Sequence, residues 1–121
     1  MKFNEIDWAD SQIERIAIEF DHAILFVFND TYKKLMEVHC TGLIGIDNLC
    51  IWDDTFIMEY DLTAVSNDND YLKQVFEHYD KDFDYGGRSL SDGILELKIE
   101  LSNNITFSVY CLNVEVNYAE S

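Results

Sequence analysis

The chain has no proline in 121 residues, five glycines, and eight lysines and arginines against 24 acids. With no proline and no Gly/Ser-rich stretch, nothing reads as a linker, so residues 1–121 are expected to form one domain with a single core. No apolar run approaches the ~20 residues that cross a bilayer. The opening Met-Lys-Phe-Asn-Glu-Ile-Asp-Trp lacks an apolar h-region, so a signal peptide is not expected. Three cysteines at irregular spacing do not make a disulfide framework. Cys40 and Cys111 fall on apolar faces and read as buried thiols in a reducing, cytoplasmic setting. The shortage of bases leaves a formal net charge of −16. Such a chain repels phosphate backbones and anionic lipid, so neither nucleic acid nor membrane is an expected partner. Acidity then serves solubility alone, or it draws in a basic protein.

What the chain does have is alternation. Leu95, Leu97, Ile99 and Leu101 alternate with Glu96, Lys98 and Glu100, the period of a strand with one buried and one wet face. Ser102-Asn103-Asn104 supplies a turn, and Ile105, Phe107, Val109 and Cys111 resume the pattern. A long antiparallel hairpin is expected over Ile94 to Tyr118. After Cys111 the apolar positions change phase to Leu112, Val114, Val116 and Tyr118. That change predicts a kink between Tyr110 and Asn113, either a β-bulge or a strand leaving one sheet face for another.

Earlier in the chain, Trp8 reads as an anchor within an irregular start. A strand from Ser11 should bury Ile16, Ile18 and Phe20, with a turn at Asp21-His22. Ala23 to Phe28 is continuously apolar and reads as a central strand covered on both faces. After a turn at Asn29-Asp30-Thr31, Met36, Val38 and Cys40 alternate with polar residues, completing an antiparallel meander. Thr41 to Asp54, broken by Gly42 and Gly45, fits a short strand or an irregular connection. Thr55 to Thr63 reads as a strand burying Phe56, Met58, Tyr60 and Leu62. Leu72, Val75, Phe76 and Tyr79 then share one face of a helix over about residues 69–80, with Asp68 and Asp70 at its positive end. The expected fold is α+β: an antiparallel sheet or flattened sandwich of six to seven strands, with one helix on it or beside it.

No catalytic motif is present. His22, His39 and His78 lie on separate elements without zinc-ligand spacing, and no serine sits in a nucleophile elbow. The loop Asp80-Lys81-Asp82-Phe83-Asp84-Tyr85 places carboxylates at alternate positions, as calcium loops do. However, Tyr85 stands where the turn glycine belongs and Ser91 where the closing Glu belongs. Asp80, Asp82 and Asp84 therefore read first as a solvated acidic turn, and no cofactor is expected.

The distribution of charge is more informative. From Asp53 to Asp84 there are ten acids against Lys73 and Lys81. The surface expected to bind a basic protein comprises Asp53, Asp54, Glu59, Asp61, Asp68, Asp70, Asp80, Asp82 and Asp84, with Tyr71, Phe83 and Tyr85 as exposed aromatic anchors. The competing reading is a soluble acidic face with incidental tyrosines.

Trp8-Ala9-Asp10-Ser11-Gln12-Ile13-Glu14-Arg15-Ile16, running into an alternating strand, resembles the opening of small acidic bacterial proteins grouped with toxin-immunity proteins. Gly42-Leu43-Ile44-Gly45-Ile46 is similar to a phenylalanine-and-glycine segment of that group. The chain departs from the pattern at Ala9, where a histidine would be expected. The resemblance spans about the first fifty residues. It implies a β-meander with few helices and a non-enzymatic role: occluding a cognate toxin, often a basic nuclease. Two other roles compete: a ligand-binding or enzymatic domain with a pocket between sheet and helix, and an oligomerising subunit using the edge of the hairpin.

Overall fold

A computed structural model of the chain describes residues 2–65, 69–78 and 93–118. The strands are β1 (Gln12–Ile18), β2 (His22–Asn29), β3 (Lys34–Thr41), β4 (Gly45–Asp47), β5 (Ile57–Ala64), β6 (Leu95–Leu101), β7 (Thr106–Cys111) and β8 (Asn113–Tyr118). A helix, α1 (Asp70–His78), lies between β5 and β6. The strands form two antiparallel sheets of four, in the orders β1-β2-β3-β8 and β4-β7-β6-β5. The antiparallel α+β expectation holds in outline, but the described residues form eight strands rather than six or seven. The segment at Gly45 pairs with β7, and the chain beyond Thr106 serves as two strands in different sheets.

The inner faces of the sheets meet in one core. Leu25, Val27, Met36, Val38 and Cys40 come from the first sheet; Leu97, Ile99, Phe107, Val109 and Cys111 come from the second. The hairpin follows its alternation. Its turn closes with the Leu101 N–H donating to the Ile105 carbonyl at 2.9 Å, and Asn104 takes the left-handed conformation (φ 67°) that asparagine tolerates. The change of phase after Cys111 is a move between sheets. β7 pairs with β6, Leu112 turns the chain, and β8 pairs with β3. Asn113, Glu115 and Asn117 consequently face outward and are exposed.

Trp8 is the anchor expected of it, fully buried. Its indole N–H donates to the Phe3 carbonyl at 3.0 Å, and its ring stacks on Phe3 at 5.1 Å. Phe3 in turn meets Tyr60 edge-on at 5.9 Å. The backbone exchanges two bonds with β5, Asp10 N–H to the Ile57 carbonyl and Ile57 N–H to the Ser11 carbonyl. The opening segment is thereby tied to the second sheet before β1 enters the first.

Three expectations fail, each for its own reason. In β1 the register shifts between Ile13 and Arg15, and in β5 between Ile57 and Glu59. Each shift is a bulge, which rotates the residues beyond it relative to those before. Beyond the shift in β1, Ile16 and Ile18 pair with the buried Leu25 and Ala23 and so lie on the inward face, but Ile18 is the last residue of the strand and is 56% exposed, and Phe20, in the β1–β2 turn, is 102% exposed. Ile57 is buried, whereas Phe56 and Met58 are exposed, and Tyr60 and Leu62 return to the core. β2 is central, but not covered on both faces. Its outward Ile24 and Phe26 are only half-buried and Phe28 is exposed, with the Arg15 guanidinium 4.2 Å from the Phe26 ring.

α1 docks on the outer face of the second sheet. Asn69 caps it by accepting the Leu72 N–H at 2.9 Å, the N-cap to N3 bond. Leu72 is buried with Ile94 and Tyr110, Val75 is half-buried, and Tyr79 lies outside the described residues. Tyr71, at a position expected to be an exposed anchor, instead stacks on Tyr110 with centroids 4.7 Å apart. Gly45 makes room for this, because a Cβ there would overlap the Tyr71 hydroxyl. Among the described residues, no helix is long and apolar enough to cross a membrane. Gly45→Ala should push Tyr71 off its stack and destabilise the fold by about 1–2 kcal/mol. Because Tyr71→Phe removes the overlapping oxygen, the alanine should cost less in that background, which a double-mutant cycle by urea denaturation would measure.

Candidate functional site

Residues paired across strands share a face, so the register alone assembles the outward surface of the second sheet. Glu59, Glu100 and Thr106 form one row; Asp61, Lys98, Ser108 and Asp47 the next; Thr63, Glu96, Tyr110 and Gly45 the third. Five carboxylates therefore share this face with one lysine. The outward face of the first sheet differs. Its rows run Arg15-Phe26-Glu37-Asn117 and Ala17-Ile24-His39-Glu115, two carboxylates against one arginine around an apolar strip. Acids also occur in the turns, at Glu19, Asp21 and Asp30 for example, but no row of the first sheet gathers them as the second sheet does.

The third row is partly covered by α1 and forms a closed network. Ser108 Oγ donates to Glu96 Oε2 at 2.7 Å and Tyr110 Oη donates to the same oxygen at 3.1 Å. Asn69 Nδ2 reaches Tyr110 Oη at 3.3 Å, so the residue that caps the helix also joins this network. A half-buried carboxylate held by two hydroxyls is fixed in place, and one edge of the acidic face is rigid as a result. Burial pushes the Tyr110 phenol above its ordinary pKa of 10.0. The Asn69 amide opposes the rise and the negative charge of Glu96 adds to it.

The first row and the Asp61–Lys98 part of the second are open. Glu59, Tyr60, Asp61, Lys98, Glu100 and Thr106 line a depression of about 250 Å³. Glu59 and Glu100 stand directly opposite one another, a like-charge pairing that disfavours the fold. Beside this end of the sheet lies the 48–56 connection. It is held to the β6–β7 turn by Asn103 Nδ2 donating to the Ile51 carbonyl and by the Phe56 N–H donating to Ser102 Oγ. That connection presents Asp53 and Asp54, both exposed, together with Ile51, which is 78% exposed; Phe56 and Met58 follow it. Carboxylates and exposed apolar side chains thus share one end of the second sheet.

Of the residues expected to bind a partner, Asp53, Asp54, Glu59 and Asp61 meet at this end. Asp70 is exposed at the start of α1, at the covered end of the same face. Tyr71 is withdrawn from the set by its stacking on Tyr110. Asp68, Asp80, Asp82, Phe83, Asp84 and Tyr85 lie outside the described residues, as does the calcium-like loop. Glu96, Glu100 and Asp47 belong to the face without having been expected there. The wet side of the Leu95–Leu101 alternation marked the two glutamates as outward, but only the pairing of β5 with β6 brings them to Glu59 and Asp61. Ile51, Phe56 and Met58 are exposed apolar side chains at this end that were not among the aromatics expected as anchors. Among the described residues, no group of three or more His, Cys, Asp or Glu side chains is placed to hold a metal ion. Comparison with family models, curated proteins and solved structures gives no match to this chain.

Relieving the opposed pair is expected to stabilise the fold. Glu100→Gln should raise the unfolding free energy by about 0.5 kcal/mol at low salt. The gain should shrink in about 0.5 M NaCl, where the Debye length is only a few ångströms. Tyr110 gives a second expectation. Its folded-state pKa lies above the unfolded value, so its contribution is intact below about pH 10 and is lost as pH rises through the folded value. Urea midpoints measured from pH 8 to 11 should fall at the alkaline end, and the fall should be shallower in Tyr110→Phe.

Proposed function

We propose that the chain is a non-enzymatic binding module that occludes a basic protein partner with the outer face of its second sheet. The observation that carries this reading is the gathering of Asp47, Glu59, Asp61, Glu96 and Glu100 on one face, against Lys98 alone among the described residues of its strands, with Ile51, Phe56 and Met58 exposed beside it. Each part has a role. The carboxylates raise the encounter rate of a positive partner and pair with its lysines and arginines. The apolar side chains exclude water and set the dissociation rate. A partner that uses those same bases to hold phosphate is blocked by having them covered. A nuclease-like toxin domain fits that description, and the resemblance of Trp8 to Ile16 to immunity proteins favours the same role.

The small-ligand reading has less support. Ligand pockets usually enclose about 300–1,000 Å³. The depression here is about 250 Å³ and open, a size suited to a single side chain of a partner. The contact between helix and sheet, where such a pocket was expected, is occupied by Tyr71, Leu72, Ile94, Tyr110 and Leu112.

The immobilised chain, exposed to a lysate of cells that carry its gene, should retain a basic protein and release it in about 0.5 M NaCl. Replacing Glu59 and Glu100 by Gln and Asp61 by Asn should slow association of that partner about tenfold at low salt, with folding intact. Surface plasmon resonance across a salt series reads both effects. A partner captured equally by the substituted chain, with an association rate indifferent to salt, would overturn the proposal.

A further inference from the structure

Two thiols in the core take no part in the acidic face. Cys40 lies in β3 of the first sheet and Cys111 ends β7 of the second, and both are fully buried. They meet at the corner where the chain passes between sheets. The Leu112 N–H donates to the Thr41 carbonyl at 3.0 Å, so the residue after each cysteine is bonded to the residue after the other. β3 and β7 pack against one another although they belong to different sheets. Disulfides need Cα atoms about 4.4–6.8 Å apart with the Cβ atoms facing, and both of these side chains point into the same core. The neighbouring Cys111 thiol and burial push the Cys40 thiol up, and the Cys40 thiol draws that of Cys111 down.

We propose that Cys40 and Cys111 form a dithiol that closes to an inter-sheet disulfide by exchange with a low-molecular-weight disulfide, so that the stability of the fold follows the thiol–disulfide poise of its surroundings. The step balances as two exchanges. The Cys111 thiol loses its proton and its sulfur attacks one sulfur of the small disulfide, breaking that S–S bond and releasing one small thiolate. The Cys40 sulfur, deprotonated in turn, then attacks Cys111 Sγ in the mixed disulfide, forms the new S–S bond and expels the second thiolate. The two protons lost by the cysteines end on the two released thiolates, and the small disulfide is reduced by two electrons. Because both thiols are buried, exchange waits on opening of the corner at Gly42 and Leu112, where both strands end. Once closed, the link spans residues 41–110 and joins the two sheets directly. A cross-link over so long a loop restricts the unfolded chain far more than the folded one. Cys50 is exposed and stands outside this pair.

The test exposes the reduced chain to glutathione buffers of increasing oxidised fraction, in the wild type and in Cys50→Ser. Intact mass of Cys50→Ser should fall by two hydrogens. Non-reducing peptide mapping of both chains should join the segments carrying Cys40 and Cys111. The melting temperature should rise by about 10 °C or more, reversibly with dithiothreitol. In Cys111→Ser it should not respond to the glutathione ratio; should that variant fail to fold, mapping of the wild type decides alone. Core thiols that stay free in the most oxidised buffer, a glutathione adduct on either that never closes, or a link that lowers the melting temperature would each overturn the proposal.

Discussion

The structure depends on one contact, the apolar seam between the two sheets. Met36, Val38 and Cys40 on one side and Leu97, Ile99 and Val109 on the other leave no solvent between them. Every long strand must spend alternate residues on that seam, which leaves its other residues for the outside. The chain crosses from sheet to sheet after Thr41 and again at Leu112, and Gly42 shows how tight this corner is. Its φ of +64° and its closeness to Leu112 leave no room for a side chain. Trp8 seals the seam where the opening segment meets β5, and α1 contributes only at one end of one outer face. The acidic surface is a by-product of this division of labour: the residues that the seam does not use on β5, β6 and β7 are nearly all polar.

How much of this is legible in the sequence depends on whether a segment keeps its period. The Leu95–Cys111 hairpin, β3 and the capped helix are readable because alternation or helical spacing runs through them unbroken. The change of phase after Cys111 is readable as well, because apolar residues continue on both sides of it. The bulges in β1 and β5 are not. A single inserted residue leaves no compositional mark, so the pattern carries Phe56 and Met58 to the wrong face; Ile18 and Phe20 are exposed because β1 ends before the core covers them. The acidic site was half visible for a different reason. Glu59 and Asp61 stand out in an acid-rich stretch, but Glu96 and Glu100 join them only through strand pairing across the helix and the segment that follows it. Tyr71 was misplaced because a short helix on the end of a sheet touches its neighbours with more than one stripe. Leu72 and Tyr71 both meet Tyr110, although only the former lies on the apolar face.

The acidic face has a cost that the rest of the protein absorbs. Like charges directly opposite in a sheet disfavour pairing by a few tenths of a kcal/mol, and the Glu59–Glu100 row accepts this with Lys98 one row away. Glu96 is treated differently, with two hydroxyl donors and a place at the margin of the helix. The face thus combines one fixed carboxylate with several that remain free in solvent and able to adapt. That combination suits recognition of flexible basic side chains, whose own positions vary until contact.

The bulges that confused the pattern have a separate consequence. β1 and β5 are edge strands of their respective sheets, and each carries a bulge; β4, at the remaining edge of the second sheet, is only three residues long. A broken ladder offers a poor template to a strand from another molecule. The irregularity therefore blunts three of the four edges against stacking with other copies of a chain rich in valine, isoleucine and phenylalanine, and leaves β8 as the one regular edge, where mutual repulsion between molecules of net charge −16 opposes close approach.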